Sequence, residues 1–223
     1  MTITQKHPIK ALLFDLDGTL VDSAPDLGVA ANKMRTDRGL PALPLENYRH
    51  LVGSGARGML KIAFELMPDD SEFEAMREEF FLNYEQVMLL GSKPFAQIPA
   101  VIKTIEEKNI PWGIVTNKME RFFHPIIQRA PWAQHAKAHV GGDTTPYSKP
   151  HPAPILEGAR QLNIPIENCV YIGDDLRDIQ AGKAAGAYTA VATWGYLGEV
   201  DHFSTWEADY QLKHIEDILN LLP

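Results

Sequence analysis

The sequence predicts an α/β fold: a doubly wound parallel sheet with an α-helical domain inserted after its first strand. Short segments that are apolar throughout alternate with helix-like segments in the second half of the chain, which is typical of a parallel sheet covered on both faces. The segment from about residue 25 to residue 90 shows only helical periodicity. We therefore expect an α/β core formed by residues 1–22 and 92–223, and a helical cap formed by residues 23–91.

The predicted elements follow from the spacing of apolar residues. Strands are expected at Ala11–Phe14, Trp112–Val115, Val170–Ile172 and Ala187–Ala192. Apolar residues three and four positions apart predict core helices at Ile98–Lys108, Ala153–Leu162, Ile179–Ala185 and Ile215–Leu222. The same spacing predicts three cap helices, near 27–34, 59–66 and 73–88. Residues 130–147 contain Pro, Gly and Asp, and their pattern does not assign them to a helix, a strand or a loop.

Composition and charge narrow the class of protein. The chain has 223 residues, 45% of them apolar and 22% charged, as in ordinary globular proteins. Its net charge of −8, without a basic tract, argues against nucleic acid as the main partner. No apolar run approaches the ~20 residues that span a bilayer, and the N-terminus lacks the apolar stretch of a secretory signal. With Cys169 as its single cysteine, we expect a cytoplasmic protein without disulfides or a membrane partner; the sequence carries no signature of an oligomeric state.

The first chemical motif is Phe14-Asp15-Leu16-Asp17-Gly18-Thr19-Leu20, directly after the first predicted strand. Asp15 and Asp17 stand two residues apart, so their side chains point to the same side of an extended chain. Gly18 allows a sharp turn that leaves both at the carboxyl edge of the sheet, where open α/β sheets bind ligands. Two neighbouring acids repel each other unless a cation joins them, which predicts a divalent metal with oxygen ligands.

A second acidic motif, Gly173-Asp174-Asp175-Leu176-Arg177-Asp178, follows another predicted strand. Taken alone, it is explained equally well as the N-terminus of a helix, where aspartates are favoured. Beside the first motif it would complete a metal site, provided that the two strands are close in the sheet.

Two further segments supply groups that suit a phosphate. Thr116 and Asn117 follow the Trp112–Val115 strand with a hydroxyl and an amide, and Lys149 precedes a helix that starts near Pro152. Each residue alone is an ordinary loop residue. Together they would hold the oxygens of a phosphate dianion and offset its repulsion from the carboxylates.

In order and spacing, these motifs resemble those of the haloacid dehalogenase-like phosphatases. The helical insertion resembles the helical-cap subclass of that superfamily, and the resemblance covers essentially the whole chain. It implies a Rossmann-like core and a Mg2+-dependent phosphatase. It also implies that Asp15 is the nucleophile that forms an aspartyl-phosphate and that Asp17 is the general acid and base.

The resemblance implies roles for the remaining motif residues as well. Thr116 and Lys149 correspond to the pair that holds the phosphate, with Asn117 beside them. The implied Mg2+ ligands are Asp15, Asp174 and the backbone carbonyl of Asp17. Gly18, Asp175 and Asp178 are implied as supporting residues.

Rival functions differ from this one in specific features. A two-component receiver domain also places acids, Thr and Lys around magnesium, but it is shorter and lacks both the cap and an acid placed like Asp17. Related transport ATPases carry Thr where this chain has Asp17, which favours release of phosphate to water. A phosphomutase of the same superfamily shares every motif and stays an alternative. A binding-only protein would have no reason to keep the whole acid, hydroxyl and lysine set.

The segment Gly53-Ser54-Gly55-Ala56-Arg57-Gly58 matches the G-x-G-x-x-G pattern of dinucleotide-binding loops. It follows a polar segment rather than a strand, so dinucleotide binding is not expected. Two interpretations have equal weight: a flexible cap loop in which Arg57 binds substrate, or an ordinary glycine turn between helices. His135 and His139 are four residues apart without the Glu of a zinc protease, and we expect both to be solvated.

The expected substrate is a small phosphate monoester. The tract Asp22–Leu27 is typical of the phosphoglycolate phosphatase branch, which favours 2-phosphoglycolate. The tract Asp37–Pro41 and the second acidic motif also resemble a sub-branch that includes phosphatases of N-acetylmuramic acid 6-phosphate, so this or another sugar phosphate is the alternative. Both named substrates carry a carboxylate, which the guanidinium of Arg57 would suit.

Overall fold

The structure, a computed structural model, describes residues 7–198 and 202–222. Its strands are β1 (Ala11–Phe14), β2 (Val21–Asp22), β3 (Lys93–Pro94), β4 (Trp112–Val115), β5 (Ala138–Val140), β6 (Cys169–Gly173), β7 (Tyr188–Ala192) and β8 (Tyr210–Leu212). Six of them form one parallel sheet in the order β5–β4–β1–β6–β7–β8. The predicted parallel sheet is therefore confirmed.

Strand β1 lies at the centre of this sheet. Phe14 at its end is level with Ile114 of β4 on one side and with Ile172 of β6 on the other. Because parallel strands end at the same edge, the residues after β1, β4 and β6 lie side by side. The expectation that the two acidic motifs follow neighbouring strands is confirmed.

Helices cover both faces of the sheet. The helices are α1 (Ala24–Asp37), α2 (Leu45–Arg49), α3 (Gly55–Phe64), α4 (Phe73–Val87), α5 (Ile98–Glu107), α6 (Glu120–Gln128), α7 (Ala153–Leu162) and α8 (Leu176–Ala185). Leu12 of β1 belongs to the same buried cluster as Ile102 of α5, whereas Leu13 belongs to the cluster that contains Ile155 of α7. Successive side chains of a strand point to opposite faces, so β1 is buried from both sides, as a doubly wound fold requires.

Helices α1–α4, called the cap helices below, pack around a buried cluster of their own. Its members include Met34, Tyr48, Leu60, Phe80 and Tyr84, and it extends beyond residues 23–91 to Phe122 and Tyr196. Strand β2 precedes α1 and pairs antiparallel with β3, which follows α4. The chain therefore enters and leaves the cap helices through one two-stranded ribbon beside the end of β1.

The structure corrects several sequence-based expectations. Residues 130–147 contain β5, a strand of three residues that is too short to show alternation. The expected helix at Ile215–Leu222 is a 3-10 helix over Ile215–Leu221, because its buried residues Ile215, Ile218 and Leu221 are three apart and align at three residues per turn.

Two further corrections concern the cap loop and the histidine pair. Residues 53–58 are not a flexible loop: they form a 3-10 turn at Val52–Ser54 and the first turn of α3. His135 is exposed as expected, but His139 in β5 is half-buried, because its ring packs against that of Phe123, with the ring centroids 5.9 Å apart. In the part of the chain that the structure describes, every helix is too short or too polar to cross a lipid bilayer.

Candidate active site

Asp15, Thr116 and Asp174 follow three adjacent strands of the sheet, β1, β4 and β6. Hydrogen bonds between the strands continue past the strand ends and hold these residues in place. The backbone N–H of Asp15 donates to the carbonyl of Ile172 at 2.8 Å, and that of Thr116 donates to the carbonyl of Val140 at 2.9 Å. The predicted residues are thus gathered by the rigid sheet and not by a loose loop.

Lys149 links two of the acids at this edge. Its Nζ lies 2.8 Å from Oδ1 of Asp15, 2.7 Å from Oδ1 of Asp178 and 2.8 Å from the hydroxyl of Tyr171. Its side chain is only 3% exposed. Burial lowers the pKa of the Lys149 amine, but the two carboxylates outweigh burial and the pKa is raised overall. Lys149 therefore supplies a permanent positive charge beside Asp15.

Asp15, Asp174 and Asp178 form a group that could hold a metal ion. Each offers a carboxylate oxygen, and these oxygens lie within 4.8 Å of one another. Burial is the largest cause that raises the pKa of Asp15, to about 6, and that of Asp174, well above its usual range; repulsion within the group adds to both shifts. A hard divalent cation with oxygen ligands would relieve this repulsion, so the donor set fits Mg2+.

Asp174 is oriented by two donors from elsewhere in the chain. The hydroxyl of Thr19 donates to its Oδ1 at 2.9 Å, and the backbone N–H of Tyr196 donates to its Oδ2 at 2.7 Å. Gly18 adopts φ +86°, and a Cβ at this position would collide with the Asp174 side chain. The glycine of the first motif is therefore required for the close approach of the two acidic motifs.

Asp17 does not join the group of three carboxylates through its side chain. Both of its carboxylate oxygens contact Nζ of Lys118, at 3.1 and 2.9 Å. Burial lowers the pKa of Lys118, but Asp17 and Tyr84 outweigh burial and raise it overall. Lys118 was not singled out from the sequence, although it directly follows Thr116 and Asn117.

Asn117 binds the backbone of Lys149 in this structure. Its amide nitrogen donates to the Lys149 carbonyl at 3.0 Å, and its Oδ1 accepts from the Lys149 N–H at 2.9 Å. Thr116 is buried, and its Oγ1 accepts from the backbone N–H of Lys118 at 3.2 Å. Asn117 thus fixes the loop that carries Lys149, while both it and Thr116 line the cavity described below.

The second acidic motif combines the two interpretations that its sequence left open. Asp175 caps α8 by accepting from the N–H of Arg177 at 2.9 Å, and Asp178 accepts from the N–H of Asp175 at 3.0 Å. Asp174 and Asp178 nevertheless face Asp15 and Lys149. The guanidinium of Arg177 pairs with Asp175 and donates from Nη2 to the carbonyl of Gly53 at 2.6 Å, which connects this motif to the cap helices.

A cavity of about 310 Å3 lies between the sheet edge and the cap helices. The predicted core residues Asp15, Asp17, Thr116, Asn117 and Lys149 line its floor together with Asp174, Asp175 and Asp178. Cap residues line the opposite wall with apolar side chains, among them Leu27, Val52, Phe80, Phe81 and Tyr84. The cavity thus has a charged floor and a largely apolar wall opposite it.

Two cap arginines also line this cavity. Arg57 lies in the first turn of α3 with an exposed side chain, and Arg77 lies on α4, where Nη2 pairs with Glu74 at 2.6 Å. The Nε of Arg77 is buried and lacks a hydrogen-bond partner among the described residues. Arg77 was missed because its sequence context, a run of alternating charges on a helix, also fits a solvated surface.

Comparison with known proteins decides the family. The family model described as haloacid dehalogenase-like hydrolase matches residues 12–192. The chain belongs to this family. The match includes the acids Asp15, Asp17, Asp174 and Asp178, both lysines Lys118 and Lys149, and the cap helices, whereas Tyr196 lies beyond it.

Two similar curated proteins are both phosphatases. One is the N-acetylmuramic acid 6-phosphate phosphatase of Pseudomonas aeruginosa, 40% identical over 214 residues, which cover 96% of this chain and 95% of that protein. The other is a phosphoglycolate phosphatase of Xanthomonas campestris, 42% identical over 201 residues, which cover 90% of each chain. This haloacid dehalogenase-like hydrolase is therefore a phosphatase that acts on phosphate monoesters.

Solved structures agree on the fold. A crystal structure of a predicted phosphoglycolate phosphatase from Haemophilus somnus superposes with a TM-score of 0.83 at 26% identity and covers 98% of this chain and 99% of its own. A haloacid dehalogenase-like family protein from Streptococcus pneumoniae gives 0.80 at 22% identity, with 95% and 97% covered, which shows the shared fold. Phosphatases of this family use a divalent metal, and the group of three carboxylates could hold one.

Proposed function

We propose that this hydrolase is a Mg2+-dependent phosphatase that works through an aspartyl-phosphate on Asp15. The observation that carries the proposal is the buried contact of Asp15 with Lys149, beside Asp174 and Asp178, on the floor of the cavity. The Lys149 ammonium, 2.8 Å from Oδ1 of Asp15, favours the ionised carboxylate that a nucleophile requires. The bound Mg2+ would neutralise charge on the phosphoryl oxygens and let two anions approach each other.

The reaction consists of two displacements at phosphorus. In the first, a carboxylate oxygen of Asp15 forms a bond to phosphorus while the bond to the leaving oxygen breaks, and Asp17 gives that oxygen a proton. In the second, Asp17 takes a proton from water as the water oxygen bonds to phosphorus. The bond to Asp15 then breaks, and inorganic phosphate leaves. Asp17 ends each cycle protonated, ready for the next leaving group.

The other site residues hold the phosphate or the acids. We assign Thr116 and Lys149 to the phosphoryl oxygens, Asn117 to the Lys149 loop and the substrate edge, and Asp15, Asp174 and the carbonyl of Asp17 to Mg2+. Asp178 would support the metal and Lys149 together, since it contacts Lys149 and belongs to the group of three. Asp175 would act through Arg177, and Gly18 through the close approach that it permits.

We further propose that residues 1–22 and 92–223 form the catalytic core and residues 23–91 a cap that reads the leaving group. The β2–β3 ribbon supports this division, because it lies at the two points where the chain would pass between core and cap. We also propose that the enzyme acts on a small phosphate monoester in the cytoplasm, with neither nucleic acid nor membrane as a partner; the net charge of −8 without a basic tract supports the exclusion of nucleic acid.

The substrate that we propose first is 2-phosphoglycolate, whose carboxylate Arg57 would bind from the cap. A second candidate is N-acetylmuramic acid 6-phosphate, and a specific observation favours it: the cap wall of Leu27, Phe80, Phe81 and Tyr84 offers far more apolar surface than a two-carbon leaving group needs. The carbon-bound hydrogens of a sugar ring would pack against such a wall, and the lactyl carboxylate of that sugar could also pair with a guanidinium. Relatives of similar identity carry each of the two names.

The experiment is a release assay for inorganic phosphate over a panel of phosphate monoesters. The panel contains 2-phosphoglycolate, N-acetylmuramic acid 6-phosphate, neutral sugar phosphates and glycerol phosphate, each with Mg2+ and with a chelator. We expect Mg2+-dependent release, with the highest kcat/KM on a carboxylated substrate. If the panel instead yielded isomerised sugar phosphates without free phosphate, the chain would be a phosphomutase. Phosphate release that is equally fast in chelator would contradict the proposed dependence on Mg2+.

A further inference from the structure

Lys118, which forms a buried pair with Asp17, has no role in the function proposed so far. The two side chains are 5% and 16% exposed, and the ammonium contacts both carboxylate oxygens. Burying an unpaired ammonium costs free energy, so the Lys118 side chain is held against Asp17. The same contact orients the Asp17 carboxylate. An ordinary solvated lysine after a strand would be neither buried nor paired with a carboxylate.

The backbone of Lys118 is also fixed. Its N–H donates to Oγ1 of Thr116 at 3.2 Å, and its carbonyl accepts from the N–H of Gly142 at 2.8 Å. These contacts place Lys118 in the same rigid turn as Thr116, at the end of β4. The side chain therefore extends from a fixed base to Asp17, 101 residues earlier in the chain.

A cap residue lies over the Lys118 ammonium. Nζ is 4.9 Å from the centroid of the Tyr84 ring, a distance at which a cation and an aromatic face attract each other. Tyr84 is 2% exposed, and its ring packs edge-on against Phe122 of α6 at 5.3 Å and parallel to that of Phe80 at 6.2 Å. Helix α4 thus places an aromatic ring against the ammonium that pairs with Asp17.

Lys118 is separate from the lysine assigned to the phosphate. Lys149 contacts Asp15, Asp178 and Tyr171, whereas Lys118 contacts Asp17. Each of the two aspartates that would react thus has its own buried lysine. Loss of Lys118 would remove the partner of Asp17 and leave the contacts of Asp15 in place.

We propose that Lys118 is a positioning residue that holds the carboxylate of Asp17 in line with the leaving oxygen and the attacking water, and that the ring of Tyr84 holds Lys118 there. The inference rests on the proposed role of Asp17. On this proposal, the cap does more than bind the substrate: through Tyr84 of α4 it also helps to orient the proposed general acid and base. The orientation of Asp17 then depends on the packing between α4 and the turn after β4.

The test compares two leaving groups in the Lys118→Met variant with Mg2+ present. Nitrophenolate leaves without a proton, so the first displacement on 4-nitrophenyl phosphate does not need Asp17, whereas the second displacement does. We expect a burst of nitrophenolate equal to the enzyme concentration, at a rate within about threefold of wild type, followed by slow turnover. Steady-state kcat on the best alkyl phosphate of the panel should fall by about 10- to 100-fold, the cost of a misplaced catalytic group.

Controls separate positioning from a loss of folding or of phosphate binding. Lys33→Met removes an exposed ion pair with Asp37 and should leave both substrates unaffected. Lys118→Arg keeps the charge and should recover part of the alkyl phosphate rate. A burst that slows as much as alkyl turnover, or alkyl turnover equal to wild type, would overturn the proposal.

The role of the ring is tested with Tyr84→Leu and Tyr84→Phe, which also decide the matter if Lys118→Met does not fold. The Phe variant keeps the aromatic face and the Leu variant does not, so kcat on the alkyl phosphate should fall about tenfold further in Leu than in Phe, with the nitrophenolate burst preserved in both. Equal values in the two variants would refute the part assigned to Tyr84. If Asp17→Asn itself turned over alkyl phosphates normally, the proposed function would fail first; if only the Lys118 and Tyr84 variants did so, the present inference alone would fail.

Discussion

Asp15 and Asp17 stand two residues apart, yet their side chains meet different lysines. Asp15 contacts Lys149 and shares a group with two other acids, whereas Asp17 contacts only Lys118 among the lysines described. The residue proposed to attack phosphorus, Asp15, and the residue proposed to transfer protons, Asp17, therefore have different charged neighbours. This difference leads to a different expected result for the amide variant of each aspartate.

Asp15→Asn should abolish phosphate release while the protein stays folded. An amide neither attacks phosphorus nor carries the charge that Lys149 and a metal require, so kcat should fall by at least about 1,000-fold. Phosphate release with Mg2+ measures the effect, and circular dichroism reports the fold. Asp37→Asn, at an exposed carboxylate of α1, is the matched control. Turnover near the wild-type rate in Asp15→Asn would remove Asp15 as the nucleophile.

Asp17→Asn should separate the two displacements. The first step on 4-nitrophenyl phosphate should survive, because nitrophenolate needs no proton, and the aspartyl-phosphate should then accumulate because no base activates water. Acid quench after a short reaction with labelled substrate would trap phosphate on the protein. Steady-state turnover of alkyl phosphates should fall by about 100-fold or more. An unchanged alkyl phosphate rate is the result that this assignment could not survive.

The sequence identified some site residues but not others, for a physical reason. Two acids two residues apart after an apolar strand repel each other unless a cation lies near them, so Asp15 and Asp17 could be predicted from local pattern. Asp174 could be predicted only in combination with that first motif, because its own motif also fits a helix N-terminus. Lys118 and Tyr171 acquire their roles only from long-range contacts: Tyr171 meets Lys149 from within β6, and Lys118 meets Asp17 across the sheet edge. No local signal distinguishes them from a solvated lysine and a core tyrosine.

At the scale of elements, the long amphipathic helices and the central strands could be predicted, and the short or irregular ones could not. Strands β1 and β4 and helix α7 have the predicted bounds, because each has a continuous apolar pattern. Strand β8 has three residues, and α6 contains Pro125, which argues against a helix in any local reading. Helix α6 forms because Phe122, Phe123, Ile126 and Ile127 are buried, which only the fold reveals.

Helix α3 carries the prediction for Arg57. Because this residue lies in the first turn of a helix and not in a loose loop, its guanidinium starts from a defined position at the cavity wall. Arg57→Ala should lower kcat/KM on the carboxylated substrate by about tenfold or more, the value of a hydrogen bond between charged groups, and should spare neutral phosphate esters. Arg160→Ala, at an exposed arginine of α7, is the control. Equal ratios for carboxylated and neutral esters in both variants would exclude Arg57 as the carboxylate ligand.

At the scale of the whole molecule, the site is built from both sides of the cavity. Arg177 of the sheet edge donates to the carbonyl of Gly53, and Tyr84 of α4 covers Lys118 and packs against Phe122. Residues 23–91 therefore contact residues that pair directly with the acids, Arg177 beside Asp175 and Lys118 beside Asp17. A substitution in the cap helices should therefore shift the acidic side chains through these contacts, in addition to changing the cavity wall.

The group of three acids should make the stability of the protein depend on a divalent cation. Asp15, Asp174 and Asp178 are buried close together and repel each other; Lys149 offsets part of this repulsion, and a bound divalent cation should offset the rest. A ligand at 100 times its Kd adds about 2.7 kcal/mol to the free energy of unfolding. For a chain of this size, that corresponds to a rise in Tm of roughly 5–10 °C between chelator and saturating Mg2+.

Removing one carboxylate from this group should remove that rise. Asp174→Asn has one charged oxygen donor fewer at the site, so its Tm should differ little between chelator and Mg2+. Asp175→Asn is the matched control, because Asp175 pairs with Arg177 and lies outside the group of three; its Tm should still rise with Mg2+. Thermal unfolding followed by circular dichroism measures both without any substrate. An equal rise in the two variants would place the metal elsewhere, whatever the activity assays showed.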